Sequence, residues 1–147
     1  MTIQDQIQSD LKDAMRARDK QKLDALRLIT AAVKQVEVDE RIQVDDARML
    51  IILDKLVKQR QESISQFQSA GRQDLVAKEQ FELDIIKHYL PEPLTETEVN
   101  QLLEQALIET GAEKMSDMGK VMAKLKPQLQ GRADMSKVSQ MIKAKLS

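Results

Sequence analysis

Cysteine and tryptophan do not occur in this chain of 147 residues. Without cysteine there are no disulfides, no thiolate nucleophile and no His-Cys zinc site. Aromatic residues make up 2%, limited to Tyr89, Phe67 and Phe81. That composition favours helices over sheet and leaves few rings on which single-stranded bases could stack. Four glycines and three prolines punctuate the chain, so each marks a definite place. No sign of charge dominates. Lys and Arg number 23 against 24 Asp and Glu, and a net charge of -1 gives no global signal for nucleic acid or membrane. The longest run of large apolar residues, 49–53, is far too short to span a bilayer, and the start, MTIQDQIQSDL, lacks a basic and an apolar leader region. These features lead us to expect a cytoplasmic protein with no membrane partner.

What is present is helical periodicity from end to end. Thr2 with Asp5 forms a capping-box start, after which Ile3, Ile7, Leu11, Ala14 and Met15 mark one face. Asp19 caps a second helix carrying Leu26, Ile29, Val33 and Val36. Asp45 or Asp46 opens a longer third with Met49, Leu53, Leu56, Ile64 and Phe67, which ends at Ala70-Gly71. A fourth, from Asp74, carries Val76, Leu83, Ile86 and Leu90 up to Pro91 and Pro93. The two prolines place a boundary there. Beyond them Thr95 and Glu98 form a second capping box, Gly111 closes the fifth helix, Ser116 starts a sixth that Pro127 limits, and Asp134 caps the seventh. The expected fold is all-α, with a four-helix domain over residues 1–90 and a small three-helix domain over 91–147. Oligomeric state stays open, because the long third helix suits a dimer seam as well as an internal core.

Catalytic apparatus is missing from the pattern. The single histidine, His88, has no partners for a triad or a metal site, and no phosphate-binding loop of the GxGxxG or P-loop kind occurs. No catalytic residue, metal ligand or cofactor is assigned. The eight methionines sit mostly at periodic apolar positions, as core residues do.

Charge is distributed unevenly in the last third. Residues 92–113 carry six glutamates and no base, whereas eight cations against Asp117 and Asp134 give residues 114–147 a charge of +6. Lys120 and Lys124 lie one turn apart on a helix face, and Arg132 stands just before a helix N-terminus, whose free amides favour an anion. Such a constellation suffices for phosphate contacts, which are electrostatic. Solvated charge at helix ends is the alternative origin of the same pattern. The candidate phosphate-binding residues are Lys120, Lys124, Arg132 and Lys137, with Lys126 and Lys143 behind them. Gly119, inside a helix where glycine costs about 1 kcal/mol relative to alanine, marks a place where another helix or a ligand comes close.

The runs LDALRLITAAVKQ, KQRQESISQFQSAGRQDLVAKEQFELDIIKHYLPEPL and DMGKVMAKLKPQLQGRADMSKVSQMIKAKL together resemble the YqeY-like family over nearly the whole chain. The last also resembles the tail domain of the B subunit of the tRNA-dependent glutamyl/aspartyl amidotransferase, whose Gly-Lys-Ala-Asp step is Gly131-Arg132-Ala133-Asp134 here. The resemblance implies an all-helical protein and a link to tRNA, since that tail domain contacts tRNA. It also implies an association with glutamine-dependent carbon–nitrogen ligation, although the separate catalytic domain and the glutamine-hydrolysing subunit have no counterpart in this chain. The leading expectation is therefore a non-catalytic tRNA-binding or tRNA-associated module. The alternatives are a protein-interaction adaptor in translation, docking a partner on the acidic block 92–113 or on the third helix, and an accessory subunit of the amidotransferase.

Overall fold

The computed structural model describes residues 1–146, and Ser147 lies outside the described residues. Among those described the chain forms seven α-helices and one 3-10 turn, with no strand, as the periodicity predicts. The backbone gathers into two compact units, Met1–Leu90 and Pro91–Ser147.

The first unit holds α1 (Ile3–Ala17), α2 (Lys20–Glu40), α3 (Asp46–Ser69) and α4 (Gln73–His88). Thr2 Oγ1 accepts from the Asp5 amide while the Asp5 carboxylate accepts from the Thr2 amide, which satisfies two of the donors a helix start leaves orphaned. Asp19 and Asp45 cap α2 and α3 through their side chains. Gly71, at φ 72°, supplies the left-handed turn after α3. Ile7, Leu26, Ile29, Met49, Leu53 and Ile86 are fully buried. Each contributes about 1.5–3 kcal/mol by leaving water, which outweighs helix propensity in deciding how the helices pack.

The second unit holds α5 (Glu96–Thr110), a 3-10 turn (Met115–Asp117), α6 (Met118–Leu129) and α7 (Met135–Leu146). Thr95 and Glu98 form the predicted capping box, and Gly111 ends α5 at φ 65°. Leu103, Val121, Leu125, Leu129, Val138 and Ile142 make the core of this unit.

Two sequence expectations for α6 need correction. The helix begins at Met118 with no side-chain cap, directly after the 3-10 turn, and that turn is held by Asp117 rather than Ser116, the Asp117 carboxylate accepting from the Glu113 and Lys114 amides. Those two bonds also hold the Asp117 carboxyl below the usual carboxylate range. Nor does Pro127 end the helix, because it sits within α6, which continues to Leu129. A proline there removes one amide donor. Fully buried Leu129 anchors the final turn all the same.

Candidate functional site

The approach to α5 is folded onto the turn between α6 and α7. Neither Pro91 nor Pro93 has an amide hydrogen, and the next available donor, the Leu94 amide, bonds the Arg132 carbonyl at 2.8 Å. Gly131, at φ 78°, turns the chain after α6, and the Arg132 amide donates to the Leu129 carbonyl. Arg132 Nε then donates to the Glu92 carbonyl at 3.2 Å. One residue thus joins the proline segment to the α6–α7 turn twice, and its terminal guanidinium nitrogens make no bond among the described residues.

This junction opens a groove of about 360 Å³. Buried Val99 and Val138 with half-buried Leu94 and Met141 form its floor, and Glu96, Arg132 and Lys137 stand around it. Asp134, also at the groove, is engaged: its carboxylate accepts from the Ser136 amide, the predicted cap of α7. Glu96 and Lys137 are exposed and form no ion pair or side-chain hydrogen bond among the described residues.

Of the six candidate cations, Arg132 and Lys137 meet at this groove, and the other four do not line it. Lys124 Nζ lies 2.7 Å from Glu109 Oε2, and Lys145 Nζ lies 3.4 Å from Glu104 Oε1, so the basic block is tied back to the acidic helix α5. The hydrogen bond from Lys124 holds the Glu109 carboxyl below its usual range. Lys120 reaches the Asp117 carboxylate only at 4.0 Å. Lys126 and Lys143 are exposed without an ion pair among the described residues. Gly119 is exposed, and a Cβ placed there would meet nothing within 4 Å, so packing inside the chain does not explain it.

Sequence reasoning missed the other half of the groove. Leu94, Glu96 and Val99 read as the opening of an amphipathic helix, and nothing in their spacing says that residues some forty positions later close over them. A hint lay in the proline pair, which forces an extended approach that must find its hydrogen bonds elsewhere.

Outside this groove, His88 is exposed and meets the Tyr89 ring edge-on at 5.2 Å. No group of three or more His, Cys, Asp or Glu among the described residues is arranged to hold a metal ion. No described helix is long and apolar enough to cross a membrane. In the first unit a second groove, of about 380 Å³, has Ile7, Ile29, Val33 and Met49 beneath Gln4, Gln8 and Lys34.

The model of the family described as "Yqey-like protein" matches residues 4–146, nearly the whole chain. The chain belongs to the YqeY-like family. Similar proteins are the "Altered inheritance of mitochondria protein 41, mitochondrial" of several fungi. That of Pyrenophora tritici-repentis is 34% identical over 129 residues, which are 86% of this chain and 71% of the relative. Those of Eremothecium gossypii and Saccharomyces cerevisiae are 42% and 41% identical over 85 residues, covering 57% of this chain and 46% of theirs. The chain therefore matches less than half the length of the latter two.

These names overturn the cytoplasmic expectation, since the relatives are named as mitochondrial proteins. The expectation rested on the start of the chain and on short apolar runs. Such features distinguish a membrane-spanning chain from one in water, but not one aqueous compartment from another.

Proposed function

We propose that this YqeY-like protein is a non-catalytic tRNA-binding module whose second unit grips the phosphate backbone. The observation that carries the reading is the state of Arg132 and Lys137. Two bonds hold the Arg132 backbone and one, from Nε to the Glu92 carbonyl, orients its side chain with the terminal nitrogens unbonded among the described residues, and Lys137 stands beside the same groove without an ion pair. A guanidinium fork oriented in this way suits phosphate oxygens. Exposed Lys126 and Lys143 add to the field. The resemblance to the amidotransferase B-subunit tail supports tRNA as the nucleic acid. Lys120 and Lys124 become secondary, because each already faces a carboxylate.

The experiment is tRNA binding by the full chain across a salt series. Affinity should fall steeply with salt, with each phosphate contact adding to the slope. Reversal of Arg132 and Lys137 to glutamate should weaken binding more than reversal of Lys120 and Lys124. Absence of binding at low ionic strength rejects the reading.

A second reading, an adaptor for a translation protein, draws support from Ile108, which is 81% exposed on the acidic helix α5, and from Met115, which is 44% exposed. Large apolar side chains standing that far out suit a partner's apolar surface. Stoichiometric copurification of one protein that survives nuclease and high salt, and is lost in Ile108→Asp, would favour it over tRNA. An accessory role in the amidotransferase predicts instead a changed rate of glutamine-dependent amidation of mischarged tRNA when the protein is added.

A further inference from the structure

We infer that the groove between the start of α5 and α7 seats a single unpaired guanosine of an RNA strand, with its phosphate on Arg132 and Lys137 and its base edge on Glu96. This rests on the tRNA reading and narrows it from a charged surface to a nucleotide site.

Size comes first. At about 360 Å³ the groove lies in the range of small-ligand clefts and admits one nucleotide but no duplex. RNA is read chiefly through such unstacked nucleotides, splayed from loops and ends, because the grooves of its helices hide the base edges. A splayed base needs a flat apolar surface. The chain has almost no aromatic rings to offer, but Val99, Val138, Leu94 and the thioether of Met141 form an apolar floor in their place.

Charge decides the rest. If the ligand were a bare anion, Glu96 would oppose it, for its carboxylate stands at the same groove and forms no ion pair among the described residues. Asp134 is less available for that part, because its Oδ1 already accepts from the Ser136 amide. The groove therefore presents cationic donors and the uncommitted carboxylate of Glu96 over an apolar floor. A carboxylate accepts two parallel N–H bonds. Among the four RNA bases only guanine carries two adjacent donors, N1–H and the N2 amino group, on its Watson–Crick edge. Adenine and cytosine each set a ring acceptor beside their amino group, and uracil flanks its single N–H with carbonyls, so each would aim a lone pair at Glu96.

The test uses the full chain and free nucleotides, read by the methyl resonances of Val99, Val138 and Met141 in nuclear magnetic resonance titrations. GMP should shift those methyls and bind about 10-fold tighter than AMP, with inosine monophosphate, which keeps N1–H but lacks the amino group, between them. Glu96→Gln, which keeps the size of the side chain, should bring GMP and AMP to near equality. Arg132→Ala with Lys137→Ala should weaken all three nucleotides alike, and dispersed spectra of each variant establish that it is folded. Equal binding of GMP and AMP, or shifts confined to other methyls, overturns the inference. Salt-dependent tRNA binding by the same preparation would then leave the phosphate reading standing. A seven-nucleotide oligouridine with a central guanosine should likewise outbind one with a central adenosine. If GMP fills the groove while neither tRNA nor this oligonucleotide binds at low salt, the tRNA reading fails and the RNA part of the inference with it.

Discussion

Lys124 Nζ stands 2.7 Å from Glu109 Oε2, across from α6 to the last turn of α5. The pair joins the positive block of the second unit to its negative block, and both side chains are well exposed. Exposed pairs of this kind add little to stability, since water screens them and two long side chains lose freedom. Their effect on the field outside is larger. Glu109→Gln should leave the unfolding midpoint in urea unchanged within error and should strengthen tRNA binding at low salt, because it releases Lys124 and removes one negative charge. A salt series on the variant checks both, with the gain shrinking as salt rises.

In the first unit Arg60 on α3 reaches two carboxylates on α4, Glu79 at 3.1 Å and Glu82 at 3.6 Å. Glu82 is buried, with Oε2 lacking a hydrogen-bond partner among the described residues. Burial first, and then the Glu79 charge, raise its carboxyl above the usual range, with Arg60 opposing. A raised carboxyl contributes stability below its unfolded value and loses it as pH climbs through the folded one. Glu82→Gln should therefore match or exceed the parent chain near neutral pH and lose that advantage in acid. Arg60→Met should cost about 3 kcal/mol at neutral pH, since it strands two carboxylates between packed helices. Urea denaturation at acid and neutral pH measures both effects.

Local signals were legible in the sequence and distant ones were not. The capping boxes at Thr2/Asp5 and Thr95/Glu98 and the glycines at 71 and 111 stand where their residue types demand, because each is decided within four positions. The inward faces of α2, α6 and α7 follow from spacing alone. In contrast, Arg60 gives no sign that it will meet residues 19 and 22 positions later, and the bond from Arg132 to Glu92 spans 40. The charge blocks of the second unit could be counted, but not the way Lys124 and Lys145 would be drawn to Glu109 and Glu104. Val44 is a similar case. It is buried in the α2–α3 connection because Glu37 accepts from its amide and Gln4 donates to its carbonyl.

Pro127 lies in the last turn of α6, where an alanine would restore an amide donor toward the carbonyl of Ala123. The helix holds its course because Leu125 and Leu129 on either side are fully buried. Pro127→Ala should raise stability by about 1 kcal/mol, the restored hydrogen bond and helix propensity exceeding the added freedom of the unfolded chain. Leu129→Ala should lower it by about 3 kcal/mol through lost burial and a residual cavity. Opposite shifts in the thermal midpoint of the two variants are the expected result. A loss of stability in Pro127→Ala would mean that the rigidity of the unfolded chain dominates there.

The phenol of Tyr89, one residue beyond α4, donates a hydrogen bond to the Asp10 carboxylate on α1. Burial chiefly, and then the bond to Asp10 and its charge, push the phenol well above the usual tyrosine value. A raised folded value means that this group contributes stability below its unfolded value of about 10 and loses it as pH rises further. Tyr89 is the only tyrosine and there is no tryptophan, so near-ultraviolet absorbance reports this one group without overlap. On raising the pH, phenolate should stay absent past the point where a free tyrosine ionises, then appear together with loss of helix by circular dichroism. Tyr89→Phe should cost about 1 kcal/mol at neutral pH and abolish the tyrosine contribution to alkaline unfolding. Asp10→Asn keeps a hydrogen-bond acceptor but removes the charge, so the phenol in that variant should ionise at lower pH than in the parent chain. Ionisation at the free-tyrosine value in the folded parent would show that the bond to Asp10 does not hold in solution.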